Sequence, residues 1–350
     1  MSETPLTPVL EEKRRRDPLL VAFGIFAVVA VLALCACTGA VFAFRDRIFD
    51  LGEPGETVIT VEAVTADGAT PTKDQLERSR DVLAGRIEAA DLKRVRVEVR
   101  DDGRITARVD GTGHEDELRA LAGTGDLRLR KVLATTPDQA GGGIPPTVDT
   151  EPIPPLEDVA AALGPAYQAA ETIAAPDRLD AATTRELAPF AELTPAQVAA
   201  LPATMQYQVP TIGCRQLLAR PAQGGATGQV AACDWLSPPS KYLLEVAQVD
   251  GADVGSAEAK LGPTGQWVVA MTFTEAGQQR WTELTRQVVA EGDNGQVAVV
   301  LDGVVISAPT VTAVVTGDAE IGGQFSRGDA MLLAAQLDSD PLPLILRPVA

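Results

Sequence analysis

The chain has 350 residues, room for about two or three domains, and its 45% hydrophobic content can fill sizeable cores although aromatics are only 4%. A net charge of −18, from 30 basic and 48 acidic side chains, argues against nucleic acid, whose phosphates need clustered Lys and Arg. It also argues against a domain lying flat on anionic lipid.

Residues 1–17 are polar and read as a cytoplasmic tail. Leu19 to Phe44 then runs without a charge, longer than the roughly 20 residues a helix needs to cross a bilayer. A transmembrane helix over 18–45 is expected. A secretory signal would be shorter and end in a small-residue cleavage site. Lys13-Arg14-Arg15-Arg16 precede the run, so the positive-inside tendency keeps the N-terminus in the cytoplasm and places residues 48–350 outside the cell membrane. Arg45 and Arg47 weaken this bias, but Asp46 and Asp50 lie among them. Leu34-Cys35-Ala36-Cys37 loosely resembles a lipid-attachment box with Cys37 modified; the apolar run continues past it through Val41, Phe42 and Phe44, which such a signal does not need.

Residues 57–133 read as a ferredoxin-like βαββαβ unit. Val58–Val64 alternates and is β-branched, so it is a strand. Thr72 and Gln75 form a capping box, and Leu76, Leu83, Ile87 and Ala90 share one face of the helix that follows. Val95, Val97 and Val99 alternate with charges, as do Ile105, Ala107 and Val109, with Asp102-Gly103 as a two-residue hairpin turn between them. A second helix spans about His114 to Leu121, with Leu118 and Leu121 inward, and Leu127, Leu129 and Lys131 belong to the last strand.

Residues 134–210 are rich in Pro and Ala, with Gly141-Gly142-Gly143 before Pro145-Pro146. They read as a partly mobile connector with short helices at about 156–170 and 195–201. Residues 211–350 form a second α+β block. Trp267–Phe273 is a strand, Thr274 caps a helix with Trp281, Leu284 and Val288 inward, and Gln296–Leu301 is a nearly continuous apolar strand. Asp302-Gly303 turns it into Val304–Ser307. Ile321–Phe325 is a strand, Ser326 caps a helix with Ala330, Leu333, Ala334 and Leu337 inward, and Leu342–Leu346 is the final strand. Cys214 and Cys233 flank a Pro/Gly-rich loop in the part expected outside, where disulfides persist. A bridge between them would contribute about 3 kcal/mol, though the sequence leaves the pairing open. A metal reading is weak, because there is no CxxC and His114 is far away in sequence.

The run Val297–Pro309, with Leu301, Asp302, Gly303, Ser307, Ala308 and Pro309 at its motif positions, resembles the "AIVLDGxVxSAP" signature of SecD. Trp267-Val268-Val269 with Phe273-Thr274 and Gly277 is similar to the strand and helix start before it. Glu320–Ser326, including Phe325, resembles the family's "ISGxF" strand, and Leu342-Pro343-Leu344 stands where the family has "ALPxPL". The stretches around Cys214 and Cys233 look like an insert of actinobacterial versions. The resemblance implies the first extracytoplasmic domain of the SecD/SecF translocase family, here as a truncated, single-pass paralogue: one membrane helix, a ferredoxin-like base, a connector and a SecD-type head. It implies Sec translocase subunits or exported polypeptides as partners. Proton flow needs ionisable groups inside the membrane, and Leu19–Phe44 holds no carboxylate, His, Lys or Arg, so the chain is not expected to be a proton-driven motor by itself. An envelope interaction or sensing module reusing the same fold is the alternative.

No motif calls for an enzyme, a cofactor or a metal. Any Ser-His-Asp triad would have to use His114, in a Gly-rich turn among acids. Asp110–Gly113 carries GxG without a third Gly or a long apolar strand before it. Asp302 reads as a residue tolerating the φ > 0 of a turn beside Gly303. Pro309 stops ladder pairing, which leaves an accessible strand edge there. Trp267 and Trp281 read as core residues rather than a ligand platform.

Overall fold

The computed structural model describes residues 55–65, 68–141, 151–173, 179–221, 228–236, 238–292 and 294–349. The expected tail, the transmembrane helix and Cys37 lie outside the described residues, among which no helix is long and apolar enough to cross a membrane. Residues 56–350 form one compact unit with mixed helices and strands.

The first part follows the expected βαββα order: β1 (Glu56–Val64), α1 (Lys73–Ala89), β2 (Arg96–Val99), β3 (Ile105–Asp110) and α2 (Glu115–Leu121). Thr72 and Gln75 close the capping box that starts α1. Between β2 and β3, Gly103 N–H donates to Arg100 O at 3.0 Å and only Gly103 has positive φ, so the turn has three residues rather than two. Leu83, Ile87, Leu118 and Leu121 pack on Ile59, Val61, Ile105 and Ala107 of the sheet.

The fourth strand of this sheet is not the expected one. The sheet order is β13-β1-β3-β2, where β13 (Ile345–Pro348) pairs Val61 with Pro348 and Val64 with Ile345. The strand Leu127–Pro137, β4, leaves for a second sheet, so the first sheet is not contained within 57–133. Alternating Leu residues fit either sheet locally. Leu344 and Leu346 fill the base core, while Leu127 and Leu129 pair in register with Leu301 and Val299. The final strand therefore begins three residues later than Leu342 and serves the first sheet.

The second sheet closes on itself. Strands β5 (Val230–Asp234), β6 (Ser240–Leu244), β10 (Val297–Leu301) and β11 (Val304–Ser307) join β4 in the ring β10-β11-β5-β6-β4-β10, with β7 (Val249–Asp250) added beside β4. Its interior is filled by small side chains, Ala232, Ala298, Val300 and Val305, with Leu244. The closed ring explains why β10 is an unbroken apolar run. Ala298 and Val300 point inward, and Val297, Val299 and Leu301 point outward into a separate core.

That outer core is shared with a three-stranded sheet, β12-β9-β8, built from β8 (Val254–Leu261), β9 (Trp267–Phe273) and β12 (Ala319–Phe325). Helices α9 (Glu275–Ala290) and α10 (Arg327–Leu337) contribute Trp281, Leu284, Val288, Ala330 and Leu333 to it. Trp281 stacks on Phe273 with centroids 5.6 Å apart.

Residues 151–221 differ from a loose connector. Helices α3 (Leu156–Leu163), α4 (Pro165–Glu171), α5 (Ala181–Glu186), α6 (Pro195–Ala200), α7 (Ala203–Gln208) and α8 (Cys214–Leu218) enclose a core that includes Val159, Phe190, Val198 and Ile212. Ala and Pro composition suggested mobility, but the apolar residues between them are buried. Polar side chains replace long helices as ties: the Gln216 amide donates to the carbonyls of Phe190 and Leu193 at 3.2 and 2.9 Å.

Candidate functional site

The Asp302-Gly303 turn has φ of +51° and +83°, so two residues with positive φ connect β10 to β11 as the sequence suggests. Its carboxylate does more than permit the turn. It accepts from the Thr124 hydroxyl, from Asp126 N–H at 2.9 Å and from Gly125 N–H at 3.2 Å, while Asp302 N–H donates to Asp126 O at 3.1 Å. Asp302 thereby clamps the segment between α2 and β4. Gly123 lies against the Asp302 carboxylate, where a Cβ has no room.

Behind this segment lies Arg86 of α1, fully buried. Its Nε donates to Ser339 Oγ at 2.7 Å, Nη1 to the carbonyls of Leu121 and Gly123, and Nη2 to those of Thr124 and Asp340. All five guanidinium donors are filled. Burial pulls Arg86 down to about 10, and the charge of Asp302 works against that. Gly125, with φ of +76°, leaves the guanidinium its space. Helical periodicity marked Leu83 and Ile87 as inward but missed Arg86, because a charged residue in an amphipathic helix reads as solvated.

The other motif residues sit around the closed ring. Strand β11 pairs with β10 on one side and, through Val304 and Val305, with β5 on the other, a pairing that ends before Pro309. Pro309 O accepts from Val297 N–H at 3.2 Å, and Ala308 O accepts from the Gln296 amide at 2.9 Å. Ser307 Oγ donates to Gly322 O at 2.8 Å, tying the ring to the outer strand β12. Leu301 is buried in the outer core. Phe325 packs beside it, its ring over Gly323, where a Cβ would meet ring carbon at 2.9 Å.

A long open edge lies along β8, the outer strand of its sheet. Gly262 N–H donates to Gln266 O at 2.8 Å, which makes the even-numbered residues of β8 the ones bonded to β9. Ala257 and Ala259 therefore turn their backbone groups outward. Ala257 N–H donates to Asp338 Oδ1 at 2.9 Å; Ala259 looks into a cleft of about 260 Å³. Trp267, Met331, Ala334 and Ala335 give this cleft an apolar wall, Ala89 of α1 borders it, and Arg327 and Asp338 stand at its rim. A larger depression of about 310 Å³ on α9 is lined by Gln248, Gln279, Arg280 and Glu283 around Ala276, and offers no strand edge. Trp267, which reads as core in the sequence, is half-buried and borders the cleft.

Cys214 and Cys233 are bonded, with Cα atoms 5.7 Å apart, and both are buried where α8 meets β5. Replacing both with Ser is expected to cost about 3 kcal/mol in urea unfolding, from the loop left open in the unfolded chain. A loss under about 1 kcal/mol would show that packing alone holds this corner. Lys241, paired across from Cys233, is buried with its ammonium donating to the carbonyls of Gln206, Val209 and Ile212. His114 sits at the start of α2, its Nδ1 against the Glu117 carboxylate. No group of three or more His, Cys, Asp or Glu among the described residues is placed to hold a metal ion.

Residues 229–344, which hold four of the five strands of the closed ring, the three-stranded sheet and both of its helices, match the family described as the SecDF P1 head subdomain. Over this stretch the chain is similar to SecD proteins. It is 34% identical over 154 residues to the protein translocase subunit SecD of Streptomyces coelicolor, a match covering 41% of this chain and 27% of that protein. It is 35% identical over 109 residues to the translocase subunit SecDF of Brucella abortus, covering 30% of this chain and 14% of that one. The chain thus spans about a quarter or less of these relatives. Among solved structures, a crystal structure of SecDF in a super-membrane-facing form is 22% identical with a TM-score of 0.46, covering 93% of this chain and 35% of that one. A structure of SecDF as a membrane component that enhances protein export is 24% identical with a TM-score of 0.43, covering 84% and 98%.

Proposed function

We propose that this chain is a non-catalytic accessory to protein translocation. It is held in the cell membrane by one helix over 18–45, with its N-terminus cytoplasmic and its folded unit extracytoplasmic, and it contacts the emerging polypeptide or the Sec translocase. The observation that carries this reading is the outward-facing backbone of Ala259 beside an apolar cleft, within the head that matches SecDF. An extended chain satisfies such an edge through backbone hydrogen bonds, which suits a binder of many sequences. The motif residues Leu301, Asp302, Gly303, Ser307, Ala308, Pro309 and Phe325 act in this proposal as the frame that fixes the ring against the β12-β9-β8 sheet. A second reading is an envelope or sensing module using the same head for another partner, since one fold serves many functions.

Ala259→Pro tests the edge. It removes the outward N–H and leaves the ladder to β9 intact, a position where an edge strand tolerates Pro. With a photo-cross-linker at Glu258 in native membranes, the unsubstituted chain is expected to capture exported precursors or translocase subunits, and Ala259→Pro to lose most of that capture. Lys260→Pro, which breaks the inner ladder, is expected to destabilise the sheet instead. Reproducible capture of other envelope proteins, unaffected by Ala259→Pro, would favour the second reading.

A further inference from the structure

Ala257 and Ala259 both turn their backbone groups away from β9, yet their N–H groups differ. Ala257 N–H donates to Asp338 Oδ1 at 2.9 Å, so a side chain of the protein already stands where the carbonyl of an added strand would stand. That side chain is held in place. Asp338 ends α10 with its N–H donating to Ala334 O at 2.9 Å. The two residues after it are gripped by Arg86, through Ser339 Oγ at 2.7 Å and Asp340 O at 3.1 Å. Helix α10 itself does not call for a carboxylate here, because negative charge at a helix C-terminus works against the helix dipole. What Asp338 gains is the Ala257 N–H. At the opposite end of the cleft, α10 starts beside Leu261, since Phe325 pairs with Trp267 and Trp267 with Leu261. The hairpin turns there at Gly262. Between Asp338 and that turn, Ala259 and Leu261 are the residues of β8 with outward backbone groups.

We propose that Asp338 ends the docking edge. A chain paired on β8 forms both backbone bonds to Ala259 and stops short of Ala257, where its next carbonyl would meet a carboxylate instead of a donor. The residue of that chain opposite Ala259 projects on the same face as Ala259, towards the cleft of about 260 Å³ between Trp267, Met331 and Ala334. The partner is thereby a short extended segment that places one apolar side chain in the cleft. It is not a long strand at the edge of another folded sheet. Val254–Leu261 is eight residues long, and a bare edge of that length would template continuous pairing with any exposed strand. A charged side chain laid across one of its donors removes that hazard and keeps the short site beside it. The inference rests on docking at β8 as proposed above, and its test separates the two.

The full chain is titrated with two acetylated and amidated peptides, Thr-Val-Thr and Thr-Val-Thr-Val-Thr. Asp338→Ala frees the Ala257 N–H. It is expected to tighten the longer peptide by about fivefold to tenfold, the gain of one further hydrogen bond, and to leave the shorter one unchanged. Asp338→Asn keeps an oxygen that can accept from Ala257 N–H, so it is expected to leave both affinities unchanged, which separates the bond from the charge. Equal affinity of the longer peptide for the unsubstituted and Asp338→Ala chains overturns the proposal. A second measurement needs no change at Asp338. In the otherwise unsubstituted chain, a photo-cross-linker at Lys260 is expected to capture the longer peptide, and one at Ser256, beyond Asp338, is expected not to. Equal capture at both positions overturns the proposal. Ala259→Pro tests the docking beneath it. Peptide binding that survives Ala259→Pro, or that is absent from every chain, refutes docking on β8 and the role of Asp338 with it.

Discussion

Arg86→Met is expected to lower the unfolding free energy by about 3–5 kcal/mol, among the largest effects of any single substitution in this chain. Met fills much of the stem's volume, so packing loss is the minor part. The major part is four backbone carbonyls and the Ser339 hydroxyl, all facing the site that the five guanidinium donors now fill. Each unsatisfied buried acceptor costs about 1 kcal/mol or more. The desolvation that pulls Arg86 down to about 10 offsets part of this, because removing a buried charge also removes its penalty. Acceptors outnumber that single relief, so the net sign is destabilising. Arg86→Lys should fall in between, since an ammonium has three donors and no fork geometry. Urea unfolding followed by the fluorescence of Trp235, Trp267 and Trp281 measures all three chains. A loss below about 1 kcal/mol for Met would mean that water replaces the guanidinium and that the clamp is not structural.

The second large effect is a dependence on pH. Burial pulls Lys241 down to about 8 from its ordinary 10.5, the charge of Asp138 opposing it. Below pH 8 the lysine is protonated in both folded and unfolded chains and contributes no slope. Between about 8 and 10.5 the folded chain has released a proton that the unfolded chain still holds, so stability rises with pH. The rise approaches 1.4 kcal/mol per pH unit and totals about 3 kcal/mol. Lys241→Met is expected to abolish the slope. At pH 7 it should still destabilise, by about 2 kcal/mol, because the carbonyls of Gln206, Val209 and Ile212 lose their donor. Urea midpoints across this range, with Cys35 and Cys37 replaced by Ser so that no thiol attacks the Cys214–Cys233 bond, decide the matter. A flat profile in the unsubstituted chain would mean that water reaches the ammonium.

Elements of strong local pattern were legible in the sequence. The capping box at Thr72, the helix cap at Ser326, the valine alternation of β1 to β3, and the Asp302-Gly303 turn needed only nearest neighbours to specify them. Pairing was less legible. Whether Leu127–Lys131 or Ile345–Pro348 completes the first sheet depends on contacts far apart in the chain, and alternating leucines satisfy either choice. The closed ring was hidden for the same reason, although the two-faced burial of Val297–Leu301 was its trace. Arg86 and Lys241 were missed because their partners are backbone carbonyls, and no side-chain pattern advertises a carbonyl. The β8 edge was missed because Val254–Leu261, with Gly255, Ser256 and charged Glu258 and Lys260, lacks the apolar alternation of a strand.

The pairing of β13 with β1 also has a mechanical meaning. The two strands run antiparallel, and Val349 N–H donates to Thr60 O, so the folded unit is entered and left side by side at one margin of its first sheet. A tension applied through the flanking segments would load these bonds one after another, peeling the strand like a zipper, rather than all together in shear. The margin is therefore the compliant part of the unit, and the clamped, closed ring its stiff part.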